Sequence, residues 1–205
     1  MRIFKQDDMI DLSQCSFSPV TASNWPLLED LFGPHRGADS GCWCMWWRVS
    51  RSVFNAMGKE QRKGALRQLC LNGDEPGVIA INDSKALGWC AIAPRSSYPV
   101  LQRSRVAHPL DGAEAGRIWF ISCLYVRVGF RRAGLTKQLI DAAVRHAFEH
   151  GASCVEACPT EATGTGAERF VGTAATFLAC GFTEIARRSP NRPLVRCTTP
   201  LAEGA

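Results

Sequence analysis

Residues 118–136 constrain this chain more than any other stretch. Ile118-Trp-Phe-Ile-Ser-Cys-Leu-Tyr-Val126 is a nearly continuous apolar run without helical caps, which marks a central strand covered on both faces. Beyond a short loop, residues 135–150 form an amphipathic helix. Leu135, Leu139, Ala143 and Ala147, flanked by Ile140, Val144 and Phe148, make one stripe, and Lys137, Gln138, Asp141, Arg145 and Glu149 take the other side, with Gly151 as the stop. The start of such a helix carries unpaired backbone N–H groups and a partial positive charge. Gly129 and Gly134 let the backbone approach a ligand closely, and Arg131 and Arg132 add formal charge. From residue 115 to 140 there are five bases (Arg117, Arg127, Arg131, Arg132, Lys137) and no acid. The junction reads as an anion site, most naturally for phosphate; the plainer alternative is a strand-to-helix turn with solvated arginines.

Two familiar phosphate sites are disfavoured by the residues present. The Gly-x-Gly-x-x-Gly of a dinucleotide fold is missing. Gly129 to Gly134 has the glycine spacing of a P-loop and Thr136 fits, but Leu135 stands where that loop needs the lysine that reaches the terminal phosphates.

The rest of the chain reads as an α/β protein. Helices are expected over 20–32, with Ser23 or Asn24 as N-cap and Gly33 closing it, and over 59–71, ending at Asn72-Gly73. A hairpin follows (78–81 and 86–93), then the central strand, its helix, a strand over 153–158, a short helix over 172–179, and two strands over 182–187 and 194–198. This order gives a mixed sheet. Gly41-Cys-Trp-Cys-Met-Trp-Trp47 places three tryptophans in five residues; a half-buried aromatic plug is the favoured reading, the wall of an acceptor pocket the sharper one.

Composition bounds the function. With 205 residues, 46% apolar and 21% charged, the chain has material for a core and forms one domain over 1–205: a helical part over about 1–73 and a ligand-binding core over about 74–200. No apolar run approaches the ~18 residues of a membrane span, and the N-terminus meets acids before any apolar stretch. A soluble, cytoplasmic protein with no membrane partner is expected. The net charge of +5 is too mild for a nucleic-acid binder. The ten cysteines are scattered, with no Cys-x-x-Cys and only Cys42-Trp43-Cys44 as a close pair, so buried thiols are expected and no metal.

Arg131-Arg-Ala-Gly-Leu-Thr136 at the helix start, preceded by Leu124-Tyr-Val126, resembles the cofactor loop of the GNAT superfamily of acyl-CoA-dependent N-acetyltransferases, whose signature is Arg/Gln-x-x-Gly-x-Gly/Ala. Cys180-Gly-Phe182 matches that family's Gly-Phe after a short helix, and the resemblance covers roughly residues 18 to 198 by element order. It departs at Thr136, where the family has a small residue, and at Val128, where proline is common. The resemblance implies a mostly antiparallel central sheet flanked by helices, splayed between the central strand and the next. It implies acetyl-CoA as cosubstrate, with its pyrophosphate on the backbone of Arg131, Arg132, Ala133, Gly134, Leu135 and Thr136. The pantetheine would pair along the strand edge at Leu124 and Val126. The N–H near Leu124 would take a catalytic part by stabilising the oxyanion.

Amine attack on a thioester needs a neutral amine and a route for the leaving thiolate. Where many of these enzymes place a strand carboxylate this chain has Phe120, and where many have a tyrosine it has Phe177. Glu156, in the apolar Cys154-Val-Glu-Ala-Cys158, is the replacement base, its alternative being a carboxylate paired with an arginine. His108 is a weaker base, and Ser122 or Thr176 could hydrogen-bond the thiolate. Convergence of Glu156, Glu161 and Glu168 with Asp111 and Glu114 of another loop would suit a cationic acceptor, the alternative being a solvated acidic face. The expected activity is acetyl transfer to a primary amine of a small molecule, with an amine-containing antibiotic as one substrate class. A non-catalytic acyl-CoA sensor and a protein N-terminal or lysine acetyltransferase are the alternatives. The oligomeric state, a homodimer included, is left open.

Overall fold

The computed structural model describes residues 14–36, 41–110, 117–162, 168 and 170–199. Asp111 and Glu114 lie outside the described residues. The element order is β1 (Ser16–Pro19), α1 (Trp25–Arg36), α2 (Arg51–Ala56), α3 (Lys59–Leu71), β2 (Gly77–Asn82), β3 (Lys85–Pro94), β4 (Ile118–Val126), α4 (Leu135–Glu149), β5 (Cys154–Ala157), α5 (Ala174–Leu178), β6 (Thr183–Arg187) and β7 (Pro193–Cys197). Among the described residues, the sequence reading leaves out β1, α2 and two short 3-10 helices, Arg95–Ser97 and Pro99–Arg103. The four-residue β1 has no run long enough to read, and it exists by pairing with β2 from Ser16↔Ile81 to Pro19↔Val78.

The strands form one seven-stranded sheet in the order β1-β2-β3-β4-β5-β7-β6. Only β4 and β5 run parallel; every other neighbouring pair is antiparallel. The pairing of β4 with β5 covers only Ile118↔Cys154 to Ile121↔Ala157. Residues 122–126 of β4 run on beyond the end of β5, so the sheet opens there. The register of β3 with β4 shifts at the same place, passing from Ala91↔Cys123 to Ile92↔Ile121 and leaving Ser122 as the extra residue. Such a bulge re-aims the side chains that follow it. Leu124 thereby joins Trp119 and Ile121 in the core beneath α4, while Cys123 and Tyr125 face the opposite layer.

α4 lies across one face, burying Leu135, Leu139, Ile140, Ala143, Val144 and Ala147. Full burial of a Leu, Ile or Val side chain contributes roughly 1.5–3 kcal/mol, so this stripe anchors the helix. Gly88 permits the contact: a Cβ there would stand 2.7 Å from Leu139 Cδ1. α1, α3 and the tryptophan-rich segment cover the other face around Trp25, Leu28, Trp43 and Trp89. Trp43 stacks on Trp25 at 5.9 Å and meets the edge of Phe32 at 5.0 Å. All ten cysteines are free of disulfides. No helix among the described residues is long and apolar enough to cross a membrane.

Candidate active site

The loop between β4 and α4 is bent by three left-handed residues, Gly129 (φ 100°), Arg132 (φ 66°) and Gly134 (φ 89°). Backbone of this kind turns successive N–H groups toward one concavity, an arrangement suited to anions. Gly134 is the N-cap of the fifteen-residue α4, and no side chain caps it. The bases around the loop divide by role. Arg127 is structural: its Nε donates to the carbonyl of Ala86 at 3.0 Å and its guanidinium pairs with Asp30 at 2.5 Å. Arg131 donates through Nε to the carbonyl of Val126 at 3.1 Å, folding the loop back on the strand. Both Arg131 and Arg132 are exposed beside the concavity.

Where the sheet opens, the bulge at Ser122 and Cys123 forms the floor of a cavity of about 420 Å³. Trp46, Trp47, Phe54 and Phe170 give it aromatic walls. Trp46 and Phe54 meet edge to face at 5.1 Å, with Arg51 over the Trp46 ring at 4.0 Å and Arg62 over the Phe54 ring at 4.2 Å. Arg62 is tied down by the carbonyls of Gly41 (3.0 Å) and Met57 (2.7 Å). Arg192 likewise donates to the carbonyls of Cys158 (2.7 Å) and Pro159 (3.2 Å) and stands 3.6 Å from Glu168, the carboxylate of the lining. The tryptophan segment thus fills both roles weighed for it: Trp43 is a plug, whereas Trp46 and Trp47 are cavity wall.

Several expected site residues stand elsewhere. Glu156 is not available as a base. It is 1% exposed, and one carboxylate oxygen is bound by the Arg95 guanidinium while the other accepts from Arg196 at 2.6 and 3.1 Å. The pairing alternative is the one realised. Arg95 is itself fully buried over the Phe120 ring at 5.3 Å; burial pushes its pKa down and Glu156 opposes that. The acidic cluster does not converge, because Glu161 pairs with Arg187, away from Glu156, and only Glu168 reaches the cavity. His108 sits on the carbonyl of Ser104 at 3.1 Å, outside the cavity lining. Thr176 holds the hydroxyl of Thr173 at 2.8 Å as part of the α5 cap. Ser122 does line the cavity and donates to the Tyr98 hydroxyl at 3.2 Å. Tyr98 is fully buried, which raises its pKa, while Arg48 acts against the rise. Phe177 is fully buried beside Leu124: a Cβ added at Gly172 would meet both, at 2.9 and 3.0 Å.

Arg95, Arg196, Phe54, Arg62 and Phe170 were not singled out in the sequence. Arg196 faces Glu156 in the β5–β7 register, so a base and an acid on two apolar strands were a usable signal once those strands are paired.

A mixed sheet opened beside its central strand, with an amide-rich loop at one end of the opening and an apolar cavity at the other, defines a protein that takes a long phosphate-bearing ligand and presents its far end to a second molecule. Residues 34–173 match the Acetyltransferase (GNAT) family, and the chain belongs to that family of acyl-CoA-dependent N-acetyltransferases. No curated protein matches the sequence. Among solved structures, the fold is similar to an N-acetyltransferase from Staphylococcus aureus Mu50, at 9% identity and a TM-score of 0.54 over 90% of this chain and 98% of that one. It is also similar to the ribosomal-protein-alanine N-acetyltransferase of Brucella melitensis, at 14% identity and a TM-score of 0.52 over 90% and 99%. A third is the paia N-acetyltransferase of Thermoplasma acidophilum in complex with coenzyme A, at 10% identity and a TM-score of 0.51 over 90% and 99%.

Proposed function

We propose that the chain transfers the acetyl group of acetyl-CoA to a primary amine of a small molecule seated in the cavity at the β4 bulge. The cavity carries this reading: about 420 Å³ of aromatic-walled space with, among the described residues, a single lining carboxylate, Glu168, suits an apolar body bearing one amine. The pyrophosphate rests on the amides from Arg131 to Thr136, with the exposed guanidinium groups of Arg131 and Arg132 as countercharge. The pantetheine arm lies along the edge of β4 from Leu124 to Val126, past the point where β5 ends, and adds to the sheet as a strand would. The backbone N–H at Leu124 meets the thioester oxygen as charge develops there. The amine attacks the carbonyl carbon, the C–S bond breaks, and the thiolate leaves next to Ser122. Glu168 meets the acceptor's ammonium and draws off its proton through water. Glu156 holds the floor of the site in place through Arg95 and Arg196.

Two tied-down guanidinium groups and one carboxylate on the lining, among the described residues, favour a mono-amine over a polycationic antibiotic. Thiol release from acetyl-CoA, followed across aromatic mono-amines, polycationic aminated antibiotics and peptides, tests this. Saturable turnover on a small aromatic amine is expected, and turnover confined to peptides would overturn the reading.

A further inference from the structure

We propose that His146, His150 and Glu75 form a binding site for a divalent transition-metal ion of the zinc class. The site lies at the far end of α4 from the cofactor loop. His146 and His150 are one helical turn apart, the second being the C-cap, and Glu75 comes from the segment joining α3 to β2. Eleven residues separate Leu135 from His146, which is about 17 Å along the helix, so the site is separate from the acetyl-transfer machinery and does not depend on it.

Three observations converge. The Nε2 atoms of His146 and His150 stand 3.6 and 3.4 Å from the same carboxylate oxygen, Glu75 Oε2, and the candidate ligand atoms of all three residues lie within 4.8 Å of one another. Those distances are longer than good N–H···O hydrogen bonds. They match the spacing of two ligand atoms held about 2.1 Å from one tetrahedral ion, which is about 3.4 Å. Second, the His146 side chain is 6% exposed, yet its Nε2 is buried without a hydrogen-bond partner. A buried polar atom left in that state is costly unless something fills the place. Third, the Nδ1 of His150 lies 2.8 Å from the carbonyl of His146. A carbonyl only accepts, so Nδ1 carries a hydrogen and Nε2 is the atom left to bind a metal beside Glu75, the arrangement that backbone carbonyls impose on metal-binding imidazoles.

Two imidazoles and a carboxylate are the ligand set of zinc and its borderline neighbours rather than of calcium or magnesium. The adjoining cavity of about 590 Å³, walled by Glu75, His150 and Trp119, supplies water for the remaining coordination position. A bound ion would pin the last turn of α4 to the α3–β2 connection. Helical His-x-x-x-His was present in the sequence at 146 and 150, but Glu75 is seventy-one positions upstream of His146 and nothing local linked them.

Zn²⁺ and Co²⁺ titrations of the chelator-stripped full chain test this, with His150→Ala and Glu75→Gln as variants. His150 is half exposed and its loss leaves the core intact; circular dichroism checks that both variants fold. The wild type is expected to take up one equivalent of Zn²⁺ at micromolar or tighter affinity in competition with a chromophoric chelator, and to gain in Tm. Each variant is expected to lose at least tenfold in affinity and the Tm gain with it. Co²⁺ is expected to show ligand-field bands without thiolate charge transfer, which separates this site from the ten cysteines. Uptake equal in wild type and variants, a thiolate charge-transfer band, or no uptake at tens of micromolar Zn²⁺ by folded wild type would each overturn the proposal.

Discussion

At the scale of single residues, charge pairing decides what Glu156 can do. A carboxylate that is 1% exposed and bound by a guanidinium on each oxygen is not presented to an acceptor. Breaking such a buried cluster from one side leaves uncompensated charge and costs about 3–5 kcal/mol. Glu156→Gln is therefore expected to lower the unfolding free energy, read from urea denaturation, by that much, while the folded fraction keeps its KM for the amine. A folded, fully stable variant with collapsed turnover would restore Glu156 as the base. Gly134 is the complementary case. Its φ of 89° costs any side chain roughly 1–2 kcal/mol, and a bulky one would crowd the amides of the proposed pyrophosphate site. Calorimetry is expected to show Gly134→Val losing at least tenfold in CoA affinity, more than the roughly 1–2 kcal/mol of folding stability lost to the left-handed backbone would explain in a variant that remains folded. Arg62 and Arg192, by contrast, were invisible as site residues in the sequence. Nothing in the local pattern says which arginines are tied to carbonyls and which face solvent.

At the scale of elements, the strand-loop-helix unit was legible because its signals are local. β4 runs from Ile118 to Val126 as its apolar run implies, and α4 ends within a residue of its expected limit. α2 was missed because Arg51–Ala56 buries nothing; it forms on a serine cap, with Ser50 accepting from the Val53 N–H at 3.4 Å. The opening of the sheet was expected only through family resemblance, since it depends on β5 stopping at Ala157 while β4 continues, a difference in pairing that no single segment records. α4 also carries a charge at odds with its packing. Burial raises the pKa of Asp141, against the hydrogen bond from Cys180 and the charges of Lys137 and Arg145. A carboxyl whose folded pKa exceeds its unfolded value contributes stability at low pH. That contribution disappears as pH rises from the unfolded value of 3.8 through the folded one. Asp141→Asn is therefore expected to be more stable than wild type at pH 7, with the gain vanishing below pH 4. Thermal melts across that range check the sign.

At the scale of the whole molecule, the cysteines report how far the fold is shut. Eight of the ten are buried and only Cys15 and Cys42 are partly accessible. Burial raises the pKa of Cys70 to about 11 and of Cys180 to about 12, and pushes Cys90, Cys154, Cys158 and Cys197 up as well. Thiolate, not thiol, attacks alkylating reagents, so these sulfurs are protected twice, by lack of access and by lack of ionisation. They are also distributed over both faces of the sheet, with Cys90, Cys180 and Cys197 in the core beneath α4 and Cys44, Cys70 and Cys123 in the opposite one. Their labelling therefore follows opening of the structure as a whole rather than one loop. Native protein with excess iodoacetamide at pH 7.5 is expected to take up two adducts quickly, at Cys15 and Cys42, and the other eight only as urea carries it through its unfolding midpoint. Cys42 lines the cavity proposed for the acceptor, so a bound amine should slow its labelling and leave Cys15 unchanged. Mass spectrometry of peptides resolves each site. Rapid labelling of Cys123 in native protein would show that the cavity opens to its floor without unfolding, and equal rates at all ten would deny the two-layered core on which the site is built.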